Sequence, residues 1–276
     1  MQSKTGKLNI IITLLVSVFF LTSCEKEEAI EADEFSVENV QQTAEIDVTS
    51  DAVSSIIEEA YIQDGKDVGK STDTFLPECM TKTVEFDGNA RIVTLNFEGD
   101  CEMHNGNILS GIITMIYVRD PLALTRTITY SFSDFYFNYK NIEGGGSILR
   151  EKSNTNGNPQ STKNQDINVT WPDGKTAHRI GVKVREWIEG FGSGTWGDNV
   201  YAITGNWTTE FPNGNVNSGI ITTPLRRELA CRFIVSGVIA LSHNEAAGTL
   251  DFGDGSCDNK AIFTGSNGVE HEVILR

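Results

Sequence analysis

The decapeptide NGNILSGIIT, Asn105 to Thr114, recurs as NGNVNSGIIT, Asn213 to Thr222. Asn-Gly supplies the positive φ angles that tight hairpin turns need, and Ser-Gly-Ile-Ile-Thr reads as the strand that leaves the turn. Two relatives carry the same chemistry. Trp171-Pro172-Asp173-Gly174-Lys175 parallels Phe211-Pro212-Asn213-Gly214-Asn215, and Ser266-Asn267-Gly268-Val269 offers a further Asn-Gly corner. The repeat is one of turn stereochemistry, so it marks scaffold rather than a duplicated binding site. A chain punctuated in this way is confined to antiparallel hairpins.

Between the turns the period is two. Val93, Leu95 and Phe97 alternate with Thr94 and Asn96, and Ile128, Tyr130 and Phe132 alternate with Thr127, Thr129 and Ser131. The phase then changes to Phe135, Phe137 and Tyr139, which predicts a bulge near Ser133-Asp134. A similar slip is expected after Ile180, Val182 and Val184, because Trp187 is out of phase with them. One helix is expected over residues 49–66: Thr49 or Ser50 caps it, Val53, Ile56, Ile57, Ala60 and Tyr61 fall at helical spacing, and Gly65 stops it. The fold class is therefore mainly β, with long antiparallel hairpins in a meander or sandwich and one short N-terminal helix. The β-rich domain spans 67–276. Its two ends, 77–120 and 229–276, read as Cys-framed modules flanking a middle block: TLNFEGDC ends at Cys101, and TLDFGDGSC ends at Cys257.

The N-terminus has a different grammar. Lys4 and Lys7 precede an apolar run from Leu8 to Ser23, too short and too closely followed by charge to span a membrane. Leu21-Thr22-Ser23-Cys24 resembles the lipobox of bacterial lipoproteins. That resemblance implies a signal peptide at 1–23, cleavage before Cys24 and lipidation of its sulfur, with two or three acyl chains holding the protein stably on a membrane. Residues 25–48 carry nine acids and one Lys, so 24–48 is expected to be a solvated tether. Within it, Lys26-Glu27-Glu28 resembles the export signal of Bacteroidetes lipoproteins displayed at the cell surface. Removal of 1–23 takes away two Lys and no acid, moving the formal charge from −16 to −18. Such a chain repels phosphate backbones, which argues against nucleic-acid partners.

The order of segments carries a wider resemblance. After the lipobox and the acidic stretch come TLNFEGDC, NGNILSG, the aromatic YSFSDFYFNY with NIEGGGSI, then VYAITGNW, GIITTPL, CRFIVSGVIAL and DFGDGSCDNKAIFTGSNGV. Together these resemble a family of outer-membrane and surface lipoproteins of Bacteroidetes. The resemblance implies a lipid-anchored location on the outer membrane, exposed at the cell surface, and a β-rich fold. It implies no activity.

With Cys24 assigned to lipid, four cysteines remain and allow three connectivities. Hairpin geometry selects Cys79–Cys101 and Cys231–Cys257. A turn at Asp87-Gly88-Asn89 sets residue 79 near 97, and a turn centred near 245 sets 231 near 259, mismatches that a bulge can absorb. An exported protein meets an oxidising compartment in which such bonds form.

Few residues carry chemistry. Asp251, Asp254 and Asp258 could offer oxygen ligands to Ca²⁺, the one cofactor the sequence suggests, although an Asx turn explains the same loop. Gly192-Ser193-Gly194-Thr195-Trp196-Gly197 fits the dinucleotide spacing but lacks the flanking strand and helix, and reads as a loop. His104, His178, His243 and His271 are scattered singly. The aromatics from Tyr130 to Tyr139, with Trp171, Trp187, Trp196 and Trp207, could form a sugar-stacking platform. The Phe residues read as core, while Trp196 and Trp207 are the platform candidates. The expected function is a noncatalytic envelope module that binds a glycan or another envelope protein. The alternative is a hydrolase of carbohydrate or peptide built on converging carboxylates.

Overall fold

A computed structural model describes residues 1–2, 35–64, 75–120, 122–244 and 246–276. The chain divides into Met1–Glu31 and Ala32–Arg276, and all the described regular structure lies in the second unit. It consists of one helix, α1 (Val37–Asp64), and thirteen strands. These are β1 (Met80–Asp87), β2 (Ala90–Glu102), β3 (Ile108–Val118), β4 (Thr125–Phe137), β5 (Lys140–Glu151), β6 (Gln160–Thr170) and β7 (Thr176–Glu189). There follow β8 (Val200–Glu210), β9 (Val216–Glu228), β10 (Ser236–His243), β11 (Ala246–Asp254), β12 (Lys260–Gly265) and β13 (Glu270–Ile274). The strands form one sheet in sequence order, each antiparallel to the next. The expected mainly-β meander is what the chain forms.

The corners explain the decapeptide. At Met103, Trp171 and Phe211 the backbone N–H donates to the carbonyl four residues on, and the glycine three residues on (Gly106, Gly174, Gly214) donates back. Those glycines sit at φ +79°, +84° and +83°. This is a three-residue hairpin closed by a left-handed glycine, and it recurs at Asn154–Asn158 and Gly265–Val269. The second glycine of the decapeptide has a separate reason in each copy. A Cβ on Gly111 would lie 1.9 Å from the Asp134 carbonyl, and one on Gly219 would lie 2.2 Å from the Trp207 ring.

Register irregularities fall where two of the expectations need them. The ladder shifts between Ser131 and Phe135, with Asp134 at φ +46°, so the aromatic strand bulges as its phase change requires. Met80 pairs with Phe97, and a shift between Phe97 and Cys101 brings Cys101 to Cys79 at a Cα separation of 5.6 Å. His243 pairs with Ala246, and Cys231 meets Cys257 at 5.3 Å.

Three expectations are corrected. The helix does not begin at residue 49 but at Val37, so Thr49 and Ser50 lie inside it, and 37–48 is not solvated tether. Every residue from Gln42 to Ala60 is buried, acids included. A sheet lying on one side would leave a helix face in water, so the sheet wraps α1. Residues 24–34, with Cys24, Lys26, Glu27 and Glu28, lie outside the described residues, as does Gly65. The second correction concerns the Cys-framed segments, which are not modules but the two ends of a single sheet. The third concerns β7. Ala177, Arg179, Lys183, Arg185 and Trp187 are its buried positions, whereas Ile180 and Val182 are exposed. Trp187 is in phase with these inward positions, the expected slip falls beyond it, between Trp187 and Glu189 against β8, and the inward face of this strand is basic.

Two apolar clusters grip the helix. Ile46, Val53, Ile56 and Ile57 pack with β2 to β5 residues such as Leu95, Ile113, Ile128 and Ile148. Val40, Ala44 and Val48 pack with Ile239, Leu250, Phe263 and Val273. The ends are tied as well. Gln41 Nε2 donates to the Ile274 carbonyl at 3.0 Å, and Asp64 pairs with Arg91 at 2.9 Å while accepting from the Tyr117 hydroxyl at 2.7 Å.

Candidate functional site: a buried ionic seam and an uncharged belt

Asp47, Asp51, Ser54 and Glu58 are spaced by four, three and four residues, so they share one face of α1. Opposite them, β6, β7 and β9 turn Lys163, Arg179, Lys183, Arg185 and Arg227 inward at strand spacing. Asp47 accepts from Arg179 Nη1 at 3.0 Å and Lys183 Nζ at 2.5 Å. Arg179 also donates from Nε to Thr209 at 2.5 Å and stacks over Trp207 at 3.6 Å. Arg227 Nε pairs with Asp51 at 2.8 Å. Ser161 donates to Glu58 at 2.7 Å, and Lys163 Nζ donates to the Ser50 carbonyl at 2.8 Å. A second pocket of charge holds Lys140 3.6 Å from Glu45, which also accepts from Trp171 Nε1 at 2.8 Å.

Burial taxes these charges. Burial pushes the Lys163 ammonium well below its usual range, with Lys183 beside it adding to the push, and burial lowers Lys140 too. Burial raises the phenols of Tyr117, Tyr130 and Tyr201, with the Asp64 carboxylate adding to Tyr117. The sign follows from proton counting. As pH rises above the folded pKa of Lys163, the folded chain has released a proton that the unfolded chain keeps until about 10.5, so stability climbs. Above about 10 the three tyrosines reverse the trend, because they ionise first in the unfolded chain. Urea unfolding across alkaline pH should therefore pass through a maximum, and Lys163→Met should flatten the climb. An equally steep climb in the variant would remove Lys163 as its source.

The outer face of the sheet is built differently. Following direct strand partners, one row runs from Ile92 through Ile116, Thr129, Ser147, Asn164, Val182, Asn206, Ile220, Ala240 and Thr249 to Thr264. It crosses eleven strands without a charge, none of its residues is buried, and Glu85 and Glu270 sit at its two ends. The neighbouring row through Thr114, Ile180 and Thr208 carries one acid, Asp166, paired with His178 at 2.7 Å. On a chain of formal charge −16, such a belt is a compositional departure.

The candidates from the sequence do not converge. Trp207 is not a platform residue: it is 3 % exposed, because β8 turns it inward under Arg179. Trp196 opens a short 3-10 turn (Trp196–Asp198), half-buried between Phe75 and a stacked His104. Among the aromatics of β4, Tyr130, Phe135 and Phe137 are core, while Tyr136 is exposed. Asp251, Asp254 and Asp258 each accept from the backbone N–H two residues on, at 2.9, 3.1 and 3.0 Å, as Asx turns do. Among the described residues, the one group of three possible metal ligands is Glu228, Cys231 and Cys257, two of which form the disulfide. His243 lies at the Val216 carbonyl and His271 opposite Phe263, so the four histidines are spread over the sheet. The inward bases of β7 escaped sequence reasoning. Their signal was Arg179, Lys183 and Arg185 at odd positions, matched to acids four apart at 47 and 51.

Comparison with known proteins adds nothing to these observations: the chain matches no family model, no curated protein and no solved structure.

Proposed function

We propose that this protein is a lipid-anchored, surface-displayed and noncatalytic binding module of the cell envelope, and that its uncharged belt meets a neutral partner, for which neutral glycan is the first test. The belt is the observation that carries the reading. Its Asn, Thr and Ser side chains can exchange hydrogen bonds with sugar hydroxyls, and its Ile and Val side chains can lie against sugar C–H faces. A charged polymer would find no counter-charge there. The acids that do converge are engaged with bases or a serine beneath the sheet, which does not favour a hydrolase.

The anchor rests on the resemblance of Leu21-Thr22-Ser23-Cys24 to a lipobox, and display on that of Lys26, Glu27 and Glu28 to an export signal. From Cys24 to Phe35 there are eleven residues, a reach of at most about 40 Å, so the module would work close to the lipid. Intact cells test all parts together. Wild type should stay with membranes and bind labelled neutral glycan, whereas Cys24→Ala should accumulate as precursor or leave the membrane. Asn164→Glu with Asn206→Glu should be displayed yet bind at least tenfold less. Unchanged fractionation of Cys24→Ala would contradict the anchor, and absence of neutral-glycan binding would contradict the belt.

A further inference from the structure

Inside the sheet, beside the polar face of α1, lies a cavity with room for about one water-sized sphere, lined in part by Lys163, Lys183 and Arg185. The lining residues are all less than 7 % exposed. Arg185 is 5 % exposed, and its Nε, Nη1 and Nη2 have no hydrogen-bond partner. Its nearest carboxylate, Asp51, is 3.9 Å from Nη1, and one face of the guanidinium is covered by the Tyr201 ring at 3.6 Å. The edge that carries the N–H groups is left over. A buried guanidinium with unused donors is costly, and interiors seldom tolerate one.

The nearby groups have little to give it. Glu58 accepts from Ser161 and pairs with Arg150, and Asp51 pairs with Arg227. Lys183 is taken up by Asp47 and Lys163 by the Ser50 carbonyl, so the Arg185 guanidinium is the lining base whose donors are unused. What is missing is a small acceptor bearing one negative charge. We propose that this cavity is a binding site for one small inorganic monovalent anion of the size of chloride, held by the Arg185 guanidinium. Sulfate and phosphate are too large for it. The ion would complete the seam between helix and sheet, and so couple the stability of the fold to halide.

The test uses the purified full-length chain. The unfolding temperature is followed as chloride replaces gluconate at constant ionic strength. The expected result is a saturable rise of about 3–6 °C when chloride reaches ten times its Kd. Arg185→Gln should lose that rise. If the variant fails to fold, wild-type crystals soaked in bromide decide, with an anomalous peak expected within hydrogen-bond distance of Arg185. A water there without bromide would overturn the proposal. So would a peak with no saturable effect on stability, which would mark an adventitious ion only, and so would a chloride effect that Arg185→Gln retains.

Discussion

Asp47→Ala should destabilise the protein by about 3–5 kcal/mol, the usual cost of stripping one partner from a buried ion pair. Asp47 and Arg179 are each 0 % exposed, and Lys183 is 4 % exposed. Loss of the carboxylate strands two cations where water cannot reach them. At about 2–4 °C per kcal/mol for a chain of this size, the unfolding temperature should fall by roughly 6–20 °C. Against a total stability of about 5–15 kcal/mol, the variant stands near the edge of folding. The compensated triple variant Asp47→Leu, Arg179→Met, Lys183→Met keeps the test informative. Removing charge on both sides should recover most of the loss, because a buried pair is often worth no more than well-packed apolar groups. The exposed pair Lys260–Glu272, at 2.8 Å, is the control, and Glu272→Gln should leave the midpoint almost unmoved. A mild Asp47→Ala phenotype would mean that the seam is solvated.

Removal of α1 should have a still larger effect. Six of its buried side chains are large and aliphatic: Val40, Ile46, Val48, Val53, Ile56 and Ile57. At about 1.5–3 kcal/mol each, their burial contributes on the order of 10 kcal/mol, comparable with the whole stability of a domain. Their absence would also leave both apolar clusters and the bases of β6, β7 and β9 facing a void. A chain that starts after Asp64 should therefore show no cooperative unfolding transition by circular dichroism. Addition of a peptide covering residues 35–64 should restore one. A truncated chain that unfolds cooperatively by itself would show that the sheet is self-sufficient.

The sheet was legible because its signals are local. Asn-Gly corners, alternation through Val93 to Phe97 and the phase change at Ser133-Asp134 each report on a few neighbouring residues, and the sheet joins only sequence neighbours. The cysteine pairing was legible for the same reason, since each bond closes a local hairpin. The helix was legible over 49–64, where Val53, Ile56, Ile57 and Ala60 fall at helical spacing, but its first turns and its enclosure were not, because these depend on strands far along the chain. Composition alone makes Glu45 and Asp47 look solvated, and only their contacts with Lys140, Arg179 and Lys183 make them interior. Strand β7 misled for the converse reason. Its apolar residues Ile180 and Val182 face outward, so the habit of assigning valine and isoleucine to the core turns the strand over. Trp207 carries no local mark of the Arg179 that covers it.

Hydrogen–deuterium exchange over residues 37–64 tests the enclosed helix most directly. If the sheet wraps α1, amides from Gln42 to Ala60 should exchange only through global unfolding, as slowly as those of the central strands β5 to β8, and Asp47→Ala should speed both sets together. Exchange of Gln42–Val48 within seconds, while the strands stay protected, would return that segment to a solvated tether and contradict the account.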